Sequence, residues 1–218
     1  MIEISASILN VDEENAVKTF YNLETAKINY FHIDVMDGKF VENNNIKTMK
    51  DYALTLSHIT NLGLDVHLMV ENIEEFVDDY LMLSPEIITF HIEASKTSER
   101  TINIIKTIKE NGSKVGIAIS PDTKLDDIKP YLEYIHMVLV MTVVPGKGGQ
   151  KLIPQTLEKI KELKSYLEEN NIDIDIEVDG GINKETSKET TEAGANILVV
   201  GKYLISSENL SETVKELK

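Results

Sequence analysis

The chain has 218 residues, of which 42% are hydrophobic and 27% charged, and its formal net charge is −15 at pH 7. This composition is typical of a globular protein, and so acidic a chain lacks the basic surface by which proteins bind nucleic acids and anionic membranes. There is no cysteine, which excludes disulfides and thiolate metal sites. Neither a signal sequence nor an apolar run of membrane-spanning length is present, so we expect a soluble, cytoplasmic protein.

Strand patterns and helix patterns alternate from one end of the sequence to the other. Strands are predicted over residues 2–9, 30–36, 64–70, 86–91, 115–119, 137–143, 173–179 and 195–200. Amphipathic helices are predicted between them: one that Asp12 caps and that ends near residue 27, then 46–57, 73–83, 96–111, 124–131, 154–170, 184–193 and 208–217. Eight strands, each followed by a helix, indicate one α/β domain over residues 1–218.

Two parallel architectures contain such units, the closed (β/α)8 barrel and the open doubly wound sheet. Central strands of a doubly wound sheet are covered by helices on both faces and tend to be apolar throughout. Strands 30–36, 64–70 and 173–179 instead place a polar residue at every second position. Such a pattern suits a barrel interior that becomes polar towards its C-terminal mouth. The sequence therefore predicts a single-domain (β/α)8 TIM barrel with a closed, parallel, eight-stranded sheet.

The strand over residues 30–36 has two chemically different faces. Phe31, Ile33 and Val35 form an apolar face, whereas His32 and Asp34 lie on the opposite face. An imidazole and a carboxylate that point the same way at a strand end are typical of cation ligands. An exposed polar strand face, or a core histidine with a satisfied hydrogen bond, gives the same local pattern.

Polar residues recur where other predicted strands end, and barrels carry their function at the C-terminal ends of the strands. The residues at these ends include Ser7, His32, Asp34, His67 and Asp179. Two histidines and two aspartates form a mixed nitrogen and oxygen ligand set. This set suits a divalent ion such as zinc, iron or manganese, with positions left open for a substrate.

The two aspartates also suggest acid–base chemistry. Asp34 and Asp179 belong to predicted strands three steps apart around an eight-strand ring, so we expect them to face each other across the mouth. Carboxylates on both sides of a substrate can remove a proton from one face of a carbon and return one to the other face. A metal that polarises the adjacent carbonyl would stabilise the resulting enediolate. A pair that only holds metal remains an alternative.

Glycines follow the last two predicted strands. Gly180 and Gly181 come after residues 173–179, and Gly201 comes after residues 195–200. Loops at these positions of a barrel commonly bind phosphate through free backbone N–H groups. Glycine pairs after a strand also form ordinary turns, and the sequence contains neither a G-x-G-x-x-G motif nor a P-loop. A further glycine-rich loop, residues 146–149, could fold over a ligand.

Five segments together form a recognisable set. They are HIDVMDG at 32–38, LDVHLMV at 64–70, MTV at 141–143, PGKGGQ at 145–150 and EVDGGI at 177–182. In these segments, in their order and over nearly the whole chain, the sequence resembles the ribulose-phosphate 3-epimerase family.

The resemblance implies a (β/α)8 barrel that interconverts D-ribulose 5-phosphate and D-xylulose 5-phosphate with a divalent metal. It implies that His32, Asp34, His67 and Asp179 bind the metal and that the two aspartates are the acid and base. The residues implied to contact the phosphorylated ketose are Ser7, Met36, His67, Met69, Met141, Gly146, Lys147, Gly148, Gly149, Gly180, Gly181, Gly201 and Lys202. It also implies a homo-oligomer.

The sequence departs from the family's usual pattern at positions that we expect to enclose substrate or grip phosphate. Glu42 stands for a proline, Ser120 and Val144 for asparagines, Lys147 for a phenylalanine and Lys202 for a serine. Lys202 could add a charge to the phosphate site, whereas Lys147 replaces an aromatic lid residue. None of these changes touches the expected metal ligands or acids, so the reaction type is more firmly implied than the substrate.

Two other functions remain open at this stage. The first keeps the chemistry but uses a longer ketose phosphate such as allulose 6-phosphate, which the altered loops suggest. The second is a barrel that binds a sugar phosphate without turning it over, although such a protein has no need of opposed carboxylates.

Overall fold

Eight parallel strands close into one barrel in which each strand pairs with its neighbours in the sequence. The computed structural model describes residues 1–218. The strands are β1 (Glu3–Ser7), β2 (Tyr30–Met36), β3 (Gly63–Met69), β4 (Ile87–His91), β5 (Lys114–Ile119), β6 (Met137–Met141), β7 (Asp175–Asp179) and β8 (Ile197–Val200). Because β8 pairs with β1, the sheet has no edge. The predicted (β/α)8 fold class is confirmed.

Helices surround this barrel. They are α1 (Ala16–Thr25), α2 (Ile46–Ile59), α3 (Ile73–Leu81), α4 (Ile92–Ser95), α5 (Ser98–Glu110), α6 (Gln155–Glu169), α7 (Lys184–Ala193), α8 (Lys202–Ile205) and α9 (Leu210–Leu217). Short 3-10 helices cover Glu13–Asn15, Leu125–Asp127 and Lys129–Tyr134. In length and hydropathy, every helix falls short of what a membrane crossing requires.

The pleat of the strands separates an apolar layer from a polar interior. Phe31, Ile33 and Val35 of β2 point outwards and belong to a cluster of 53 buried apolar residues between barrel and helices. His32 and Asp34 alternate with them and are buried inside the barrel. The two faces expected for this strand are therefore an outer core face and an inner functional face.

The strand register brings inward-facing side chains to one level near the C-terminal mouth. Asp34 of β2 lies opposite His67 of β3, and Met36 lies opposite Met69. On the other side of the barrel, Asp179 of β7 lies opposite a residue of β6 and one of β8. Residues far apart in the sequence thus reach a common centre.

The start of the first helix differs from the prediction. Asp12 caps no helix; its carboxylate accepts a hydrogen bond from the Asn15 amide at 2.8 Å. A single 3-10 turn, Glu13–Asn15, fills this position, and α1 begins only at Ala16. The side chain that would have capped the helix is used within that turn.

The stretch predicted as a helix over residues 124–131 is helical, but as 3-10 helix and not as α-helix. Two 3-10 helices occupy this stretch and extend to Tyr134. Pro130 explains the break, because proline lacks an N–H and disfavours the α conformation in the residue before it. Two four-residue helices, α4 and α8, were not predicted because a single turn leaves no measurable periodicity.

The contacts of α1 allow the outer core to be tested. Phe20 is 1% exposed and makes edge-on contacts with Phe31 and Tyr52, with ring centroids 5.8 and 5.4 Å apart. We expect Phe20→Ala to lower the free energy of unfolding by about 3–5 kcal/mol, since it removes buried aromatic surface and leaves a cavity. Urea denaturation followed by circular dichroism measures the loss.

Tyr21, the next residue of the same helix, is 50% exposed and provides the control. Tyr21→Ala should change the free energy of unfolding by no more than about 0.5 kcal/mol. Equal losses in the two variants would contradict the assignment of the core to this face of α1.

Candidate functional site

A cavity of about 600 Å³ opens at the C-terminal mouth of the barrel. Strand ends and the loops after β6, β7 and β8 form its wall. The predicted residues that line it are Ser7, Asp34, Met36, Met69, Met141, Gly146, Lys147, Gly148, Gly149, Asp179, Gly180, Gly181, Gly201 and Lys202. This volume is within the range of small-molecule sites. The only predicted site residues outside the lining are His32 and His67, which lie deeper.

Four of the predicted side chains converge at the floor of this cavity. One ligand atom from each of His32, Asp34, His67 and Asp179 lies within 4.8 Å of the others. Asp34 Oδ1 is 3.3 Å from His32 Nε2 and 3.2 Å from His67 Nδ1. Asp179 Oδ2 is 3.7 Å from the same nitrogen of His67. The two aspartates come from strands on opposite sides of this centre.

The hydrogen bonds of His32 leave one ring nitrogen free. Its Nδ1 lies 2.6 Å from Asp65 Oδ2, which also accepts a 2.7 Å hydrogen bond from the Ser5 hydroxyl. A carboxylate can only accept from the ring, so Nδ1 carries a hydrogen. The Nε2 atom is buried and has no hydrogen-bond partner. It faces the same space as both aspartates, and this donor set fits a divalent cation.

A second ligand-like cluster lies one pleat deeper. His32 shares it with Asp65 and Glu177, each 0% exposed. Burial raises the pKa of Glu177 well above its usual value, and the charge of Asp65 acts in the same direction. Burial would also raise the pKa of Asp65, but the charge of His32 lowers it, so Asp65 is the favoured anionic partner of His32.

Burial and neighbouring charges give the two central aspartates different proton affinities. Burial would raise the pKa of Asp34, but the nearby charge of His32 holds it well below its usual range. For Asp179, burial raises the pKa to about 7, and the charge of Asp34 adds to the shift. One carboxylate is thus ionised near neutral pH while the other is half protonated, which is how acid and base partners differ.

Several residues fix the orientation of Asp34 and the strands beside it. The Ser7 hydroxyl donates to Asp34 Oδ2 at 2.8 Å, so the serine at the end of β1 both lines the cavity and holds the carboxylate. The Asn45 amide donates to the Asp34 carbonyl at 2.8 Å. Next to Asp179, the Thr142 N–H donates to the Asp179 carbonyl at 2.8 Å.

Three methionines form the apolar part of the cavity wall. Met36, Met69 and Met141 are each 1–2% exposed and come from β2, β3 and β6. Their thioether side chains border the aspartates and offer no strong hydrogen bond. They therefore give this side of the cavity an apolar surface.

Glycine loops approach each other on the β7 and β8 side of the cavity. Gly180 and Gly181 have φ angles of +120° and +71°, and a methyl group on Gly181 would collide with the Leu152 backbone. A methyl group on Gly149 would lie 3.2 Å from Lys202 Cδ, so this lysine packs along the glycine loop. The arrangement combines close backbone approach with one cationic side chain.

The five departures from the family pattern fall into two groups. Val144, Lys147 and Lys202 line the cavity. Glu42 and Ser120 do not line it. The Ser120 N–H instead donates to Glu93 at 2.7 Å, and its carbonyl accepts from Lys159 at 3.0 Å. Ser120 therefore helps to hold the loop after β5 in place.

His91 and Glu93 also belong to the site, and the sequence analysis missed them. His91 is 0% exposed, and its Nε2 lies 2.9 Å from His67 Nε2. Its Nδ1 lies 3.1 Å from Glu93 Oε2. A histidine at the end of predicted strand 86–91, followed two residues later by a glutamate, was the available signal. Asp65 lies two positions before His67 on the inward face, and the same two-residue alternation could have identified it.

Comparison with known proteins adds to this geometry. The family model described as ribulose-phosphate 3-epimerase matches residues 3–205. A ribulose-phosphate 3-epimerase of Methanocaldococcus jannaschii is 43% identical over 218 residues, which cover 100% of this chain and 90% of that protein. The protein of the same name from Bacillus subtilis is 38% identical, covering 100% of this chain and 99% of the relative.

Solved structures with low sequence identity share the fold. KGPDC from Streptococcus mutans is 10% identical, covers 100% of this chain and 95% of its own, and has a TM-score of 0.71. A 3-hexulose-6-phosphate synthase is 13% identical, with coverages of 99% and 98% and a TM-score of 0.71. These similarities concern the fold alone. The family match and the identities over full length show that the chain belongs to the ribulose-phosphate 3-epimerase family.

Proposed function

We propose that this protein interconverts D-ribulose 5-phosphate and D-xylulose 5-phosphate by moving a proton at C3. The observation that carries the proposal is the convergence of Asp34 and Asp179, from opposite sides of the barrel, on a centre that also contains His32 and His67. Epimerisation requires a base on one face of the carbon and an acid on the other, which opposed carboxylates can supply. Family membership supports the same reaction.

His32, Asp34, His67 and Asp179 would hold a divalent cation, for which zinc, iron and manganese are the best candidates. Such an ion supplies electrostatic stabilisation to the oxygens of an enediolate. His32 and His67 orient the carboxylates towards that position. Asp65 and Ser7 hold the ligands from outside, through hydrogen bonds of 2.6 Å to His32 and 2.8 Å to Asp34.

The two aspartates would divide the proton transfer between them. Asp34 in its ionised form would accept the C3 proton, and Asp179 in its protonated form would donate one from the opposite face. In the reverse reaction the roles exchange. Met36, Met69 and Met141 form an apolar wall of the cavity that contains the two aspartates.

The glycine loops and Lys202 would bind the phosphate. Backbone N–H groups around Gly180, Gly181 and Gly201 lie on the side of the cavity where barrels commonly bind phosphate. The loop that contains Gly146 to Gly149 would close over the sugar, with Lys202 packed along it.

A second candidate substrate is a hexulose phosphate such as allulose 6-phosphate. Lys147 occupies the cavity wall at the usual position of an aromatic residue, and the neighbouring Val144 is 61% exposed. A longer chain would extend in this direction without disturbing the four central residues.

Incorporation of deuterium from the solvent tests the reaction directly. The protein, loaded with manganese, should epimerise D-ribulose 5-phosphate in deuterated water and place deuterium at C3 of the xylulose product. Chelator should abolish the reaction, and NMR of the product measures the label. Turnover of allulose 6-phosphate alone would assign the second substrate. No turnover of either by the metal-loaded protein would refute the proposal and indicate a binding protein.

Replacing Asp179 tests its proposed role as the acid. Asp179→Asn should lower kcat by about 10³-fold, because an amide cannot transfer the proton and general acid–base catalysis contributes roughly 10²–10⁴-fold. The matched control is Asp173→Asn, which removes the same charge at an exposed position near the other end of β7. It should retain normal turnover. Near-normal kcat in Asp179→Asn would contradict the acid–base assignment.

Metal binding should depend on pH, since bound protons occupy the ligands. Below its pKa of about 7, Asp179 is protonated in the metal-free protein, and His32 has a pKa raised by Asp65 and Asp34 against the effect of burial. Metal must displace these protons, so affinity for Mn²⁺ should fall as the pH is lowered from 8 to 6. Electron paramagnetic resonance of free Mn²⁺ measures the affinity. A constant affinity over this range would contradict the ligand assignment.

A further inference from the structure

We propose that His91 and Glu93 are positioning residues that fix which ring nitrogen of His67 points towards Asp34 and Asp179. The inference rests on the proposed function only in assuming that this centre binds a divalent cation. Neither residue lines the cavity, so their effect passes through His67. The chain of hydrogen bonds begins at Glu93, outside the barrel, and runs inwards.

Glu93 is fixed as a hydrogen-bond acceptor by the loop after β5. Its Oε1 accepts from the Ser120 N–H at 2.7 Å and from the Thr123 hydroxyl. Lys159 of α6 holds the same loop, because its ammonium group donates to the carbonyls of Ser120, Pro121 and Thr123 at 2.5–3.0 Å. Burial would raise the pKa of Glu93, but hydrogen bonds from His91, Thr123 and the Ser120 N–H hold it at about 2.

An ionised carboxylate determines the hydrogen positions on the next ring. Glu93 Oε2 lies 3.1 Å from His91 Nδ1, so this nitrogen must carry the hydrogen. In the neutral imidazole, His91 Nε2 is then an acceptor. The ring is 0% exposed and packs against Phe40 with centroids 4.8 Å apart, so no solvent donor competes for that lone pair.

The hydrogen position on His91 in turn determines the hydrogen position on His67. His91 Nε2 lies 2.9 Å from His67 Nε2, so His67 must donate from Nε2. Its Nδ1 is left with a lone pair, 3.2 Å from Asp34 Oδ1 and 3.7 Å from Asp179 Oδ2. This lone pair and the two carboxylates point into one space, which is the arrangement of ligands around a divalent cation. The opposite tautomer of His67 would place two lone pairs against each other at His91.

The two histidines of the centre are thus oriented by separate carboxylates. Asp65 accepts a hydrogen bond from His32 Nδ1–H, so that the Nε2 atom of this ring points towards the centre. Glu93 orients His91, which accepts a hydrogen bond from His67 Nε2–H, so that the Nδ1 atom of His67 points towards the centre. Because the rings use opposite nitrogens, the lone pairs of neighbouring strands β2 and β3 converge. Carboxylate support of this kind is common behind metal-binding histidines.

Zinc affinity, measured by competition with a chromophoric chelator, tests the inference without turnover. His91→Leu should weaken zinc binding by about 10–100-fold, the usual cost of losing an outer partner. His91→Gln should recover much of the loss, because a side-chain oxygen can again accept from His67 Nε2–H. Glu93→Gln should weaken binding too, since its amide cannot accept from His91, Ser120 and Thr123 together.

Thr123→Val provides the matched control. It removes one hydrogen bond between Glu93 and the loop but leaves Glu93 able to accept from His91. Zinc affinity close to that of the unmodified protein is expected. If Thr123→Val and Glu93→Gln weaken binding equally, the effect comes from the loop and the inference fails. Circular dichroism checks the fold of each variant, and His91→Gln tests the inference if His91→Leu does not fold.

Nitrogen-15 NMR of the histidine rings gives a second readout. In the unmodified protein the hydrogens should lie on His91 Nδ1 and His67 Nε2, with zinc and without it, and Glu93→Gln should disturb both rings. A hydrogen on His67 Nδ1 in the zinc-free protein at pH 8, or normal zinc affinity in His91→Leu, would overturn the inference. Confirmed ring assignments in a protein that epimerises neither sugar would refute the proposed function and leave this inference standing.

Discussion

The charge on Asp34 is the interaction on which the centre of this barrel depends. A buried carboxylate is costly unless it is paired and hydrogen-bonded. Here Ser7 donates to one oxygen while His32 and His67 lie within 3.3 Å of the other. These partners come from β1, β2 and β3, so neighbouring strands must keep their register for the charge to be stable. Burial raises the pKa of Asp179 on the far side, and the charge of Asp34 adds to this shift.

The chain separates the residues that stabilise the fold from those that perform chemistry. Its largest apolar cluster, 53 residues, lies between the strands and the helices. The interior near the mouth contains carboxylates, imidazoles and hydroxyls, which contribute less to stability than apolar packing would. An outer layer that holds the strands independently allows the inner layer to be polar. This division explains why a (β/α)8 barrel can carry a demanding site without losing its fold.

The two-residue period of the strands explains which features could be predicted. That period placed His32, Asp34, His67 and Asp179 on inward faces, and the closed sheet then brought them together. It gave no information on which histidine nitrogen meets which carboxylate. Those contacts depend on loops whose positions come from the tertiary structure, such as the one at Ser120. Lys159 reaches that loop from 39 residues away, and no local pattern indicates such a contact.

The reaction and the choice of substrate depend on different parts of the molecule. Barrels with 10–13% identity share this backbone, so the backbone alone does not determine the chemistry. The four central residues lie at the ends of rigid strands, and further carboxylates orient them from outside. Val144, Lys147 and Lys202 lie at the cavity wall, in loops beyond the strand ends. Changes in these loops therefore alter the shape of the cavity, whereas a change at Asp34 or His67 disturbs the charge balance of the buried centre.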